Sequence, residues 1–302
     1  MAKVSAIVVT IGAKDYIKLS LDSLLKQVYL PSEIIVINNS FKSNLAGQLN
    51  KSYPSVKVYS NSENLFYGAS LNKGIGLSCG EFILCLNDDV ALDKYFIHEA
   101  LNSFLINEKI GMVGGKVLRS NGKILDSTGL FLTLSRTAKD RGYGRLDLSM
   151  YENPGFIFGV NGAAVFYRKK MLDEVKEREG YFDSRFRMFY EDLDISWRAN
   201  KKGWRAYYAP TAVAYHVRGG SFRSDPGIDK AIARKYLNEQ LHYELIKNRY
   251  LTILKNETFL GFLLHLIPIL IYDLCVWAYI LFFQPKFIKF IFVRIKKTRV
   301  VS

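Results

Sequence analysis

The sequence predicts an α/β fold with a mostly parallel central sheet flanked by helices, and three observations lead there. Between residues 4 and 86, short apolar runs alternate with stretches of helical period, the pattern of consecutive βα units. Apolar residues make up 49% of the 302, ample for one large core plus an appendage. An acidic cluster, Asn87-Asp88-Asp89, closes one of the apolar runs, at the strand end where open parallel sheets bind ligands.

Taken in order, residues 4–10, 33–37, 56–59 and 81–86 read as strands, and 16–28, 45–53 and 69–77 as the helices between them. No G-x-G-x-x-G follows the first strand and no P-loop is present, which disfavours nicotinamide and flavin enzymes and P-loop hydrolases. Past Gly111-Met112-Val113-Gly114-Gly115 the pattern loosens into hairpins and loops. Residues 135–151, rich in Arg, Lys, Gly and Asp, are predicted to be a mobile loop. Its basic part, Arg136 to Arg145, either closes over a bound diphosphate or is a solvated surface loop. Order returns at 159–166, in a helix opening at Glu191 and in an aromatic strand at 204–210, where Trp204, Tyr207 and Tyr208 read as core or cleft wall. In that helix Leu193 and Trp197 share one face, and Asp194 and Arg198 are spaced for an ion pair. A boundary near Asp225-Pro226-Gly227 divides a nucleotide-binding and catalytic domain, 1–225, from a helical, hydrophobic and basic region, 226–302.

The formal charge of +14 is concentrated late. Lys286, Lys289, Arg294, Lys296, Lys297 and Arg299 follow the apolar stretch 259–283 with no acidic residue among them. A hydrophobic segment with a polybasic tail suits an anionic membrane surface. Nucleic acid is disfavoured, because no platform of interleaved basic and aromatic residues occurs. His265, Pro268 and Asp273 interrupt the apolar stretch, and a carboxylate in hydrocarbon is costly unless paired. Peripheral attachment to the inner face of the cell membrane is therefore expected over a simple span, with a hydrophobic grip on a second protomer as the alternative. Cys79, Cys85 and Cys275 are not at metal-ligand spacing and the start of the chain carries no signal-peptide pattern, which points to a cytoplasmic setting.

Two acidic clusters carry the chemical reading: Asn87-Asp88-Asp89 and, about a hundred residues on, Glu191-Asp192-Leu193-Asp194. Gathered carboxylates raise one another's pKa unless a cation or proton compensates. A divalent metal with a phosphorylated ligand would supply that charge at the first cluster. Between them in interest lies 63–74, whose amides and glycines could line a pyrophosphate pocket from a helix N-terminus, or simply form a capped turn. Each piece alone also has an ordinary structural explanation.

Together, and in this order, the pieces resemble the inverting family 2 glycosyltransferases of GT-A type, in particular those moving rhamnose or related sugars in cell-envelope polysaccharide assembly. The resemblance runs from Val4 to about Ser221, with an echo at Asn248-Arg249. It makes Thr10 the end of the family's first strand. It puts Asn38, in Val36-Ile37-Asn38-Asn39-Ser40, where an aspartate usually meets the nucleobase. Asn64 and Asn72 fall in its Asn-x-Gly-Phe…Asn-x-Gly segment, although Leu65-Phe66-Tyr67-Gly68 departs from the usual glycine placement. Asn87-Asp88-Asp89 matches its Asp-x-Asp element, so Asp89 inherits metal coordination while Asp88 faces ribose or a water. Asn161 and Gly162 match an acceptor-side glycine segment, and Glu191-Asp192 the Glu-Asp motif, with Asp192 the catalytic base. His216, followed by Gly219-Gly220-Ser221, matches a further metal ligand.

The resemblance implies a nucleotide-sugar donor (UDP- or dTDP-linked, with rhamnose a candidate sugar), a glycan or lipid-linked acceptor, and Mg2+ or Mn2+. Chemically, the leaving diphosphate needs its developing charge stabilised, and the acceptor hydroxyl needs a base on the opposite face. One base and one metal, with no separate nucleophile, imply inversion. A nucleotidyltransferase making an activated sugar, and a silent nucleotide-sugar-binding protein, are the alternatives. The first would more usually carry a glycine-rich basic loop after its opening strand, of which Ile11-Gly12-Ala13-Lys14 is a faint version.

Overall fold

The computed structural model describes residues 2–12, 16–40, 43–217 and 238–291. Four parallel strands form one half of the central sheet: β1 (Val4–Thr10), β2 (Glu33–Asn38), β3 (Lys57–Ser60) and β4 (Phe82–Asn87). Their connections are α1 (Tyr16–Leu25), α2 (Leu45–Ser52) and α3 (Phe66–Leu77), as the alternation of apolar runs and helical periods requires. α1 stops three residues short of the predicted end. Gln27 leaves the helix because its amide bonds the Asp93 carbonyl at 2.7 Å and accepts from the Ile97 amide at 3.0 Å.

β1 is buried along its whole length, and period-two alternation feeds two separate cores. Ala6 and Val8 pack with α1 and with α4 (Phe96–Phe104), whereas Ile7 and Val9 pack with Leu71 and Ile75 of α3. Gly74 lets α3 lie this close, since a Cβ there would come within 2.5 Å of the Ile7 side chain.

The second half of the sheet is mixed, so parallel pairing dominates only the N-terminal half. After the short β5 (Val90–Leu92) come β6 (Ile110–Arg119), β7 (Leu125–Ser127), the hairpin β8 (Leu130–Leu132) and β9 (Ala138–Asp140), β10 (Gly155–Ile157) and β11 (Ala164–Arg168). Then follow α5 (Lys169–Val175), α6 (Glu191–Lys201) and the long β12 (Arg205–His216). The sheet order is β10-β12-β6-β11-β4-β1-β2-β3, with β11 antiparallel to both β4 and β6. β12 runs parallel to β6 and slips register between Ala209 and Val213, beside Pro210, which has no N–H to give the ladder. Trp204, Tyr207 and Tyr208 are buried.

Residues 135–151 are tied down rather than loose. The β8–β9 hairpin turns at Arg136, in the left-handed region at φ 58°. Lys116 is paired with Asp147 and Glu152, and Arg141 lies over the rings of Tyr151 and Tyr208. Arg136 points away from a diphosphate role, pairing instead with Glu257 and with His265 Nδ1.

Those two residues belong to the C-terminal helices α7 (Glu239–Asn256), α8 (Phe259–Leu264) and α9 (Leu266–Phe283). α7 docks against α6 with a polar face: His242, Glu244, Asn248, Arg249, Thr252 and Asn256 are all buried. Lys255 reaches Glu177, Asp183 and Asp194 at 2.8 to 3.1 Å. Asp273, the carboxylate within the apolar stretch, is neutralised by Arg249 at 2.6 Å, and Arg249 also bonds the Ser135 carbonyl at 2.7 Å. The expected boundary at Asp225-Pro226-Gly227, the Gly219-Gly220-Ser221 segment and the basic residues from Arg294 on lie outside the described residues.

Candidate active site

The carboxyl edge of the parallel strands carries the first cluster. β1 and β4 are paired with Val9 opposite Asn87, and β1 and β2 with Thr10 opposite Asn38, so three strand ends meet at one edge. The turn after β4 places Asp88 under Thr10, whose hydroxyl donates to Asp88 Oδ2 at 2.6 Å. Asp89 turns the other way, because β5 pairs with the end of β12 and sets His216 opposite Val90. His216 Nε2 is 3.2 Å from Asp89 Oδ1 and its Nδ1 is 2.8 Å from Asp126 Oδ2, on β7. All five side chains, Thr10, Asp88, Asp89, Asp126 and His216, are buried.

Burial and the neighbouring Asp89 push the Asp88 carboxyl up to about 7, against the hydrogen bond from Thr10. For His216 burial works downward, but the hydrogen bonds to Asp126 and Asp89 outweigh it and push the imidazole up to about 9. A proton on this imidazole, bridging two carboxylates, therefore supplies the compensating charge in the protein alone. A carboxylate on one ring nitrogen that aims the other at a ligand is the usual arrangement behind a metal-binding histidine. The donor set of one carboxylate and one imidazole fits Mn2+ and Mg2+. Among the described residues no three His, Cys, Asp or Glu side chains converge on one point. A cation here would complete its coordination with phosphate oxygens and water, as these metals commonly do.

The second cluster lies at the start of α6. Its first two residues are Glu191 and Asp192, preceded by Phe189 and Tyr190, both in the left-handed region at φ 70° and 72°. Each such residue costs roughly 1 kcal/mol or more without a glycine. Asp192 accepts from the Gly162 amide at 3.1 Å and from the Leu193 amide at 2.8 Å. Burial raises the pKa of both Glu191 and Asp192; the Asp192 charge adds to the rise at Glu191, and Asp140 to that at Asp192. Glu191 Oε2 is buried without a hydrogen-bond partner among the described residues. Leu193 and Trp197 are buried on one helical face, and Asp194 pairs with Arg198 at 3.0 Å, as their spacing predicted.

The two clusters are linked through 161–163. The Asn87 amide donates to the Ala163 carbonyl at 3.0 Å, and Gly162 bonds Asp192 on one side and the Tyr67 hydroxyl, at 2.7 Å, on the other. Asn161 donates to Asp140 at 2.8 Å and accepts from the Ala163 amide. Thr10, Asn87, Asp88, Asp89, Asn161, Gly162, Asp192 and His216 thus belong to one connected edge.

The other amides stand apart. Asn38 is buried, donating to Ser60 Oγ at 3.1 Å and accepting from the Ser40 amide at 2.8 Å. Asn64 accepts from the Phe66 amide at 2.8 Å, closing the turn into α3. Asn72 grips the backbone of Phe182, accepting from its N–H at 2.8 Å and donating to its carbonyl at 2.7 Å. Its hydrogen bonds therefore staple α3 to the segment before α6 and do not point to a donor. Asp126 and Tyr67 escaped the sequence reading. Tyr67 lies inside the quoted turn with no role assigned to it, and nothing in the spacing marks Asp126.

A Rossmann-like parallel half sheet, a mixed second half and an acidic strand-end turn facing a histidine on a returning strand together define the GT-A class of glycosyltransferase. Solved structures carry the same fold: GalNAc-T7 with UDP, GalNAc and Mn2+ superposes with a TM-score of 0.60 at 14% identity, covering 77% of this chain and 46% of that one. The Pyrobaculum calidifontis mannosyltransferase PcManGT, with GDP-Man and Mn2+, gives 0.57 at 14% identity over 100% of this chain and 76% of that one.

The chain belongs to the family described as glycosyltransferase like family 2, whose model matches residues 2–235. It is a glycosyltransferase, and the nucleotidyltransferase alternative falls away. It is 23% identical over 253 residues to the N-acetylglucosaminyl-diphospho-decaprenol L-rhamnosyltransferase of Mycobacterium tuberculosis, covering 76% of this chain and 80% of the relative. It is 25% identical over 210 residues to the poly-beta-1,6-N-acetyl-D-glucosamine synthase of Staphylococcus aureus, spanning 67% of this chain but only 46% of that longer protein.

Proposed function

We propose that this chain is a metal-dependent, inverting glycosyltransferase that moves a sugar from a UDP- or dTDP-linked donor to a hydroxyl of a glycan or lipid-linked acceptor at a membrane surface. The observation that carries this reading is the pairing of Asp89 with a carboxylate-oriented His216 at the strand edge to which Asp192 is linked through Gly162. Asp89 and His216 would hold Mn2+ or Mg2+, which as a Lewis acid stabilises the leaving diphosphate. Thr10 and Asp88 would orient the nucleotide beside it, and Asn161 and Gly162 would border the acceptor. Asp192 takes the proton of the attacking hydroxyl. Its raised pKa makes it a stronger base than a solvated aspartate while leaving it ionised above its own pKa. The relatives support a sugar on a lipid-linked or polymeric acceptor, since one is named for a diphospho-decaprenol substrate.

Turnover of a panel of UDP- and dTDP-linked sugars with Mn2+ or Mg2+ tests the assignment. Asp89→Ala is expected to lose donor binding, measured by calorimetry with the nucleotide sugar. Asp192→Asn should keep that binding while turnover falls by about 10²–10⁴. Full turnover by Asp192→Asn removes it as the base, and unchanged metal-dependent donor binding by Asp89→Ala removes the metal site.

A further inference from the structure

The acidic pair stands on a turn that its own sequence does not stabilise. Phe189 and Tyr190 both adopt positive φ, neither is glycine, and Tyr190 at the cap makes no side-chain hydrogen bond to the helix it starts. Glu191 and Asp192 are the first two residues after this turn, and the Asp194 amide bonds the Tyr190 carbonyl at 2.8 Å to close the first helical turn. Whatever holds carbonyls 188 and 189 therefore fixes the backbone from which both carboxylates project, while the Gly162 amide orients the Asp192 side chain itself.

That hold comes from α7. Asn248, fully buried at 0% exposure, donates from Nδ2 to the Met188 carbonyl at 2.7 Å and to the Phe189 carbonyl at 2.9 Å. Two carbonyl acceptors fix the orientation of the amide, because only its NH2 can face them. At the preceding residue of α7, the Lys247 ammonium bonds the Arg185 carbonyl at 2.7 Å. Two turns later Asn256 donates to Asp194 Oδ1 at 2.8 Å. The helix thus clamps the strained turn at one point and the first turn of α6 at another.

We propose that Asn248 is a positioning residue for the Glu191–Asp192 pair, so that the C-terminal helix α7 completes the catalytic edge in addition to leading into the apolar segment. The proposal rests on the reading of Asp192 as the base. The role requires a short side chain with two N–H donors. Alanine supplies none, and the isosteric aspartate sets an acceptor against two carbonyls.

The test compares Asn248→Ala and Asn248→Asp with Thr252→Val in the full chain. Thr252 is buried on α7, and among the described residues its hydroxyl bonds only the Asn248 carbonyl of its own helix. Thr252→Val therefore loosens α7 without touching the turn. Amide hydrogen exchange, which needs no ligand, should speed up by about tenfold or more across 188–194 in both Asn248 variants, and stay as in the parent in Thr252→Val. With UDP-N-acetylglucosamine or dTDP-rhamnose and Mn2+, whichever is turned over, kcat should fall by about tenfold or more with the donor KM within about twofold. Parent-like exchange across 188–194 in Asn248→Ala overturns the proposal, and so does a kcat equal to that of Thr252→Val. The base assignment is judged separately, on Asp192→Asn alone: full activity there removes the base while leaving the exchange result to decide whether Asn248 holds the turn.

Discussion

His216 joins fold and chemistry in one side chain, since its two nitrogens meet Asp126 on β7 and Asp89 after β4. Its pKa is raised in the folded protein, so the stability it contributes is fully present below the unfolded value near 6.5 and is lost as pH rises through about 9. Thermal unfolding of the metal-free protein between pH 6.5 and 9 should show this loss, of up to about 3 kcal/mol. His216→Gln should flatten that part of the curve. An unchanged slope in the variant would place the titration elsewhere. Asp192 works with the opposite consequence for rate. Its raised pKa moves the acid limb of the pH–rate profile above the ordinary carboxylate value near 4, so turnover should still be climbing with pH where a solvated aspartate would already be fully ionised. A limb at or below 4 would mean that the base is a solvated group.

Between elements, the seam of α6 with α7 decides how well the acidic helix is held. Lys255 is the cation shared by Glu177, Asp183 and Asp194, the last two buried. Removing it leaves each buried carboxylate with a single cation, Arg185 for Asp183 and Arg198 for Asp194, so the cost stays below the roughly 3–5 kcal/mol of a buried charge left wholly unpaired. Lys255→Met should therefore lower the urea midpoint, and by more than replacement of Lys57, whose pair with Glu33 is half exposed on the lysine side. Equal midpoints for the two variants would show that the seam does not hold the helix. This seam also marks where the sequence stopped being readable. The parallel half of the sheet follows from alternation and apolar runs, and Asp89, Asp192 and His216 from residue types in order. The echo at Asn248-Arg249 came with no role, and Asp126 went unmarked, because both residues meet partners brought together only by folding, about 60 and 90 residues away, and no local period encodes such a pair. Residues 135–151 misled for a related reason. Their composition is that of a loose loop, but Arg141 finds the Tyr208 ring and Asp147 finds Lys116 across the fold.

At the scale of the whole molecule, α8 and α9 present an apolar surface that the other described residues leave uncovered. Phe259, Leu264, Ile267, Leu274, Phe282 and Phe283 are each about 70–80% exposed, far beyond the scattered exposure ordinary for a monomer. α9 is long and apolar enough to cross a membrane, and only 11% of it is buried. Yet Asp273 within it is held by Arg249, and Glu257 and His265 next to it by Arg136. These bonds fasten the segment to the catalytic domain along one side, which favours lying in the interface over crossing the bilayer. Lys286 and Lys289 follow at its end, each worth about 1 kcal/mol near an anionic surface. Flotation with vesicles containing anionic lipid should therefore carry the intact protein up, and 0.5 M salt should weaken but not abolish it, since roughly 4 Å of screening length removes most of the charge attraction and leaves the apolar burial. Leu274→Glu with Phe282→Glu should reduce flotation by more than tenfold, because each charge must leave water on binding. Undiminished flotation of that variant, or a parent protein that stays with the soluble fraction and sediments as a dimer through this face, would assign the surface to a second protomer in place of lipid.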